Sequence, residues 1–148
     1  MKLLPRAAAV AACSTLVWMA QAGATPGVDV NPVTLGQAEI PANILPFVAG
    51  TDYVVREITI GPGGSTGWHY HYGPVFGFVR AGTLTHPGPD CVPVVYRPGD
   101  FIYEPEGAWN VHIGRNLGPD PLILDVVYAP PIGKPLFEDA PAPVCAAG

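Results

Sequence analysis

The stretch TGWHYHYGPVFGFVRAG, from Thr66 to Gly82, sets His69 and His71 one residue apart in a run rich in aromatic residues. Residues two apart on a strand project to the same face. Both imidazoles therefore aim into one cavity, a spacing suited to a divalent metal, while Tyr70 and Tyr72 face the other way. Outward from this stretch, Tyr53–Ile60 is β-branched and bounded by Gly61-Pro62-Gly63-Gly64, which predicts a strand and then a turn. Further strands are expected over Trp68–Tyr72, Val75–Val79, Thr83–His86, Val92–Tyr96, Phe101–Tyr103, Trp109–Ile113 and Leu122–Tyr128. No segment carries an apolar face at helical spacing over a useful length. Eight or nine short strands punctuated by turns predict an all-β sandwich or barrel.

The chain has 148 residues, enough for one domain, with 49% hydrophobic and only 13% charged residues. Its 18 Gly and 19 Pro act as punctuation between apolar strands. A net charge of -5 supplies no basic surface for nucleic acid, so no nucleic-acid partner is expected. Lys2 and Arg6 precede an apolar run from Ala7 to Ala20, followed by Ala22-Gly23-Ala24. This reads as a secretory signal over residues 1–24, and no later segment is long and apolar enough to span a bilayer. Val10-Ala11-Ala12-Cys13 has the look of a lipobox, but the apolar run before Cys13 is too short, so a lipoprotein is not expected. The mature chain is expected in the periplasm or secreted, where Cys91 and Cys145 can form a disulfide. Residues 25–50 predict an extended N-terminal arm holding at most one edge strand, and residues 51–148 the barrel with its C-terminal tail.

Gly63, then His69-x-His71 after five residues, then Gly82, follow the spacing of the first cupin motif, G-x5-H-x-H-x3-E-x6-G. Gly99, Pro105 and Gly107 follow the start of the second, G-x5-P-x-G-x2-H-x3-N. Over about residues 53–128 the chain resembles a small single-domain cupin. The resemblance implies a double-stranded β-helix, or jelly-roll barrel, with a metal in its cavity, and a capacity to form homodimers through sheet edges. Two departures stand out. Val75 occupies the place of the family's glutamate ligand and cannot coordinate. Strict spacing puts Asn110 where the second-motif histidine belongs, with His112 two residues further along the same expected strand and Arg115-Asn116 after it.

His69, His71 and His112 are accordingly the expected ligands of a divalent ion, Fe, Mn, Zn, Ni or Cu, and spacing cannot choose among these metals. Val75, Phe101 and Asn110 are expected to line the cavity. His86 is expected at the surface beside a turn; Glu104, just before Pro105, is within reach of the cavity mouth but as a strand-end carboxylate is expected in solvent, and beyond the ligands themselves Tyr103 and Glu104 are weak acid/base candidates. Three neutral imidazoles leave the full charge of the ion on the site, favouring an anionic or chelating small-molecule ligand. Two readings follow: a metal-dependent oxygenase or isomerase, and a non-catalytic binding protein that holds a small ligand with or without metal. Ser65 lies in no nucleophile elbow, which leaves serine-hydrolase chemistry unsupported.

Overall fold

The computed structural model describes residues 23–41 and 50–147. All but the last two residues of the expected leader lie outside them. β8 (Leu122–Tyr128) has Leu122, Leu124, Val126 and Tyr128 buried, with the residues between them only half-buried. This period of two identifies a strand with one face on the core. β4 (Val75–Ala81) alternates likewise, burying Val75, Gly77 and Val79 and exposing Phe76, Phe78 and Arg80. β2 (Thr51–Ser65) adds Val54, Ile58 and Ile60 to the same core. Ile60, Leu84 and Leu122 are among the most deeply buried, each stabilising the fold by roughly 1.5–3 kcal/mol relative to exposure.

These strands form an antiparallel sheet in the order β1-β2-β8-β4-β7, with β1 at Val28–Ile40 and β7 at Phe101–Glu104. Facing it are two short ladders: β3 (His69–Tyr70) with β9 (Glu138–Asp139), and β5 (Leu84–Pro87) with β6 (Pro93–Tyr96). The segment His112–Arg115 joins them, bridging to His69 through His112 and to Thr85 through Arg115. The all-β barrel predicted from turn spacing is thus present, with nine strands among the described residues.

Several boundaries differ from expectation. The arm carries a strand of 13 residues, although nearly all of its side chains are exposed. Backbone pairing with β2 from Ile40 to Val30 holds it, and an edge strand wet on both faces needs no alternating pattern. Gly61-Pro62-Gly63-Gly64 does not end β2. Val30 pairs with Ile60 but Val28 with Ser65, so these four residues form a broad bulge opposite Asp29. Trp109–Ile113 is not a strand: Ala108–Asn110 is a 3-10 turn, and only His112 makes a bridge. Gly107 enters that turn at φ 105, a conformation that disfavours any residue with a Cβ. Gly82, at φ 77, has a further constraint, since a Cβ there would lie 2.7 Å from the Leu122 Cα.

The Cys91–Cys145 disulfide is formed, with Cα atoms 6.0 Å apart, and ties the C-terminal segment to the loop before β6. Among the described residues no helix is long and apolar enough to cross a membrane.

Candidate metal centre

His69 comes from β3, His71 from the turn after it, and His112 from the chain leaving the 3-10 turn. All three are buried, and their ring centroids lie between 4.5 and 5.0 Å from one another. His69 and His112 are also backbone partners, each N–H donating to the other's carbonyl at 3.0 Å. The 3-10 turn explains the irregular motif spacing. It absorbs the extra residues before His112, so His112 arrives without a shared strand face.

Each ring is oriented by a backbone carbonyl. Nδ1 of His69 donates to Gly67 O at 2.9 Å, Nδ1 of His71 to Leu136 O at 2.8 Å, and Nδ1 of His112 to Asn110 O at 2.8 Å. A carbonyl can only accept, so each Nδ1 bears a proton, and in its neutral form each ring presents a lone pair at Nε2. The Nε2 atoms of His71 and His112 are 3.2 Å apart. Glu104 Oε2 lies 3.0 Å from the former and 3.6 Å from the latter. Where the rings are neutral, no proton stands among these three atoms, and a cation between them would offset their mutual repulsion. Ligand atoms of His69, His71 and His112 all fall within 4.8 Å of each other. The donor set therefore fits a divalent metal: imidazole nitrogens fixed through their other ring nitrogen are the usual way a protein presents ligands.

Two residues placed in solvent by sequence reasoning are in this cluster. Glu104 is almost buried, facing inward from β7 beside Ile102. His86, on β5, has its Nε2 3.0 Å from Glu104 Oε1, but poorly aligned to donate, which leaves this buried nitrogen without a hydrogen bond. Phe101, expected in the cavity, is 51% exposed because β7 turns Ile102 and Glu104 inward and its alternate residues outward. Asn110 is outside the cavity too: its Nδ2 donates to Glu106 O at 2.7 Å, across the 3-10 turn and away from the histidines. Val75, 2% exposed, does line the interior. Tyr103 faces outward at 52% exposure.

Burial lowers the His69 pKa to about 3, with help from the positive potential of His112 and His71. Burial likewise lowers that of His112 to about 4, against the opposing pull of Glu104. For Glu104, burial disfavours the anion, but contacts from His71 and His86 outweigh it and hold the carboxyl well below its usual range. The unfolded chain takes up protons on its histidines near pH 6.5, where folded His69 and His112 do not. Below that pH the unfolded state binds more protons, so stability falls as pH drops. Glu104 acts in the same direction at lower pH, because its protonation in the unfolded chain precedes that in the fold. The urea midpoint of metal-free protein is expected to be flat above about pH 7 and to decline steadily below about pH 6. A midpoint that rises on acidification would show that the folded rings are charged.

Two adjoining cavities share Ile58, Thr66, His69 and Tyr128. The inner one, about 30 Å³, reaches Val75, His86 and Glu104. The outer one, about 240 Å³, opens past Gly27, Val30, Pro32, Arg56, Phe137 and Asp139. Arg56 stands on the inward row of β2, donates from Nε to Thr34 Oγ1 at 3.1 Å, and has no carboxylate partner among the described residues. Burial raises the Tyr128 pKa, keeping the phenol protonated.

Residues 56–128 match the cupin domain family, and the chain is a small cupin-domain protein. Solved structures similar in fold agree. An uncharacterized conserved protein with a double-stranded β-helix domain from Klebsiella pneumoniae superposes with a TM-score of 0.57 at 19% identity, covering 78% of this chain and 84% of that one. The polyketide cyclase RemF from Streptomyces resistomycificus gives 0.57 at 24% identity over 78% and 74%. A cupin-like protein from Thermotoga maritima gives 0.56 at 20% identity over 76% and 77%. No curated protein sequence matches the chain.

Proposed function

We propose that this protein is an exported, metal-dependent cupin, an oxygenase or isomerase, that holds one divalent ion on His69, His71 and His112. Its substrate is a small organic anion admitted through the outer cavity. The observation that carries the reading is the convergence of imidazoles whose Nδ1 protons are all committed to carbonyls, which leaves every Nε2 lone pair for the centre. The disulfide supports an oxidising compartment.

When bound, such an ion polarises a coordinated oxygen or activates water or dioxygen, according to its identity. The chain's own residues supply the rest. Arg56 binds the anionic end of the substrate in the outer cavity, and the apolar walls from Val30, Ile58 and Phe137 exclude water from its body. Tyr128, protonated and on the wall shared by both cavities, holds a proton at its phenolic oxygen where the substrate passes.

Elemental analysis of protein recovered from the export route tests the reading, alongside His112→Ala and Asn110→Ala variants. About one equivalent of metal is expected in the parent and the Asn110 variant, and a loss of at least tenfold in the His112 variant. Absence of metal in the parent, with none retained after incubation with iron, zinc, manganese, copper or nickel, would leave a metal-free ligand pocket. Metal-loaded protein inert to dioxygen and to panels of small acids would instead identify a binding protein.

A further inference from the structure

The family's carboxylate position is occupied by Val75, yet a carboxylate stands in the cavity. In the β4–β7 ladder Val75 pairs directly with Glu104. Opposite residues in such a ladder share a face, with Cβ atoms about 5 Å apart. A glutamate at either position can therefore reach the same volume.

We propose that Glu104 is the carboxylate ligand of the metal site, transferred from β4 to the facing position on β7, and that His86 is its positioning residue. The proposal rests on the three-histidine reading above. Donors bonded to one ion at about 2.1 Å lie about 3.0–3.4 Å from their neighbours in octahedral or tetrahedral arrangements. The separations among His71 Nε2, His112 Nε2 and Glu104 Oε2 are 3.0, 3.2 and 3.6 Å, close to those edges. An ion pair with His71 alone would need a proton on Nε2 as well as the one Nδ1 donates to Leu136 O, and it would leave His112 Nε2 facing the charged ring. One cation satisfies all three atoms. The second oxygen, Oε1, lies 3.0 Å from His86 Nε2, near enough that a modest turn of the ring would bring the two into a hydrogen bond and let β5 position the carboxylate while Oε2 faces the centre. Relocation changes the site's charge: a carboxylate among the ligands reduces the net charge of a divalent site to one positive unit. That weakens its pull on a dianion and leaves recognition of the substrate's anionic end to Arg56.

Cobalt(II) is the probe, titrated into metal-free protein and read by visible ligand-field absorption and calorimetry. The Glu104→Gln variant, of nearly the same shape, is expected to bind cobalt about tenfold or more weakly and with a shifted absorption band. The Val75→Glu/Glu104→Val double variant is expected to regain most of that affinity, because it returns the carboxylate to the facing position. The His86→Ala variant is expected to weaken binding while keeping the parent band, as suits a residue that acts through another. Unchanged affinity and band in Glu104→Gln, with binding abolished in His112→Ala, would overturn the role of Glu104 and leave the three-histidine site standing. Weaker binding with an unshifted band in Glu104→Gln would also overturn it, since that is the signature of a structural role. Failure of the parent itself to bind cobalt would overturn the underlying metal reading and this inference together. Circular dichroism melts of each variant separate these outcomes from misfolding.

Discussion

An Asn116→Ala variant is expected to lose about 3 kcal/mol of stability. Asn116 is 0% exposed and uses its whole amide. Its Nδ2 donates to Ile60 O at 2.9 Å and Asp120 O at 2.8 Å, while its Oδ1 accepts from Gly118 N at 3.0 Å. Its backbone bonds Gly63 and Gly64, so the residue anchors the bulge of β2 to the approach of β8. Each lost bond costs about 1 kcal/mol, and any backbone group left buried and unpaired adds to that. Urea unfolding measures the loss, and Asn116→Asp is the informative control. Aspartate preserves size but points a carboxylate at two carbonyl oxygens, so it is expected to be at least as destabilising as alanine. Near-native stability for the aspartate would show that the site needs volume rather than donors.

Replacing both Cys91 and Cys145 by serine is expected to cost roughly 4 kcal/mol on the chain-entropy account. The bond spans a sequence separation of 54 residues, enclosing β6, β7, β8 and β9, and it acts mainly by restricting the unfolded chain. The urea midpoint is therefore expected to fall while the m-value rises, because the unlinked chain expands further. A loss below about 1 kcal/mol would assign retention of the tail to the β3–β9 ladder and the Leu136 carbonyl instead.

The legible parts of the fold were those where one strand face is apolar and the other is not. β8 and β4 alternate, and of the motif glycines Gly82, Gly99 and Gly107 mark bends or turns, whereas Gly63 falls in the bulge of β2. The histidine pair was legible from its spacing, although the strand expected over Trp68–Tyr72 ends at Tyr70 and His71 joins the cluster from beyond it rather than by strand parity. β7 was not, because Phe101, Ile102 and Tyr103 are all apolar or aromatic and conceal which face turns inward. Its outward rings meet Phe76 and Phe78 of β4 on the exposed side of the sheet, a cluster that draws Phe101 away from the cavity. Once that face is assigned, Glu104 must follow Ile102 inward. His86 is hidden by the turn residues after it, which suggest the surface, whereas β5 places it against Glu104. The orientation of His71 depends on the backbone oxygen of Leu136, 65 residues away, and a peptide carbonyl leaves no mark in the order of side chains.

The paired backbone bonds between His69 and His112 have one more consequence, for motion. Each residue's amide is closed by the other's carbonyl, so neither can swing away alone. Both rings are also latched to the carbonyl two positions earlier in their own chain, and each travels with its local backbone. The two imidazoles thus form a single moving part. Opening of the site on that side is therefore expected to be one concerted event, which exchange of the His69 and His112 amide protons with solvent would report.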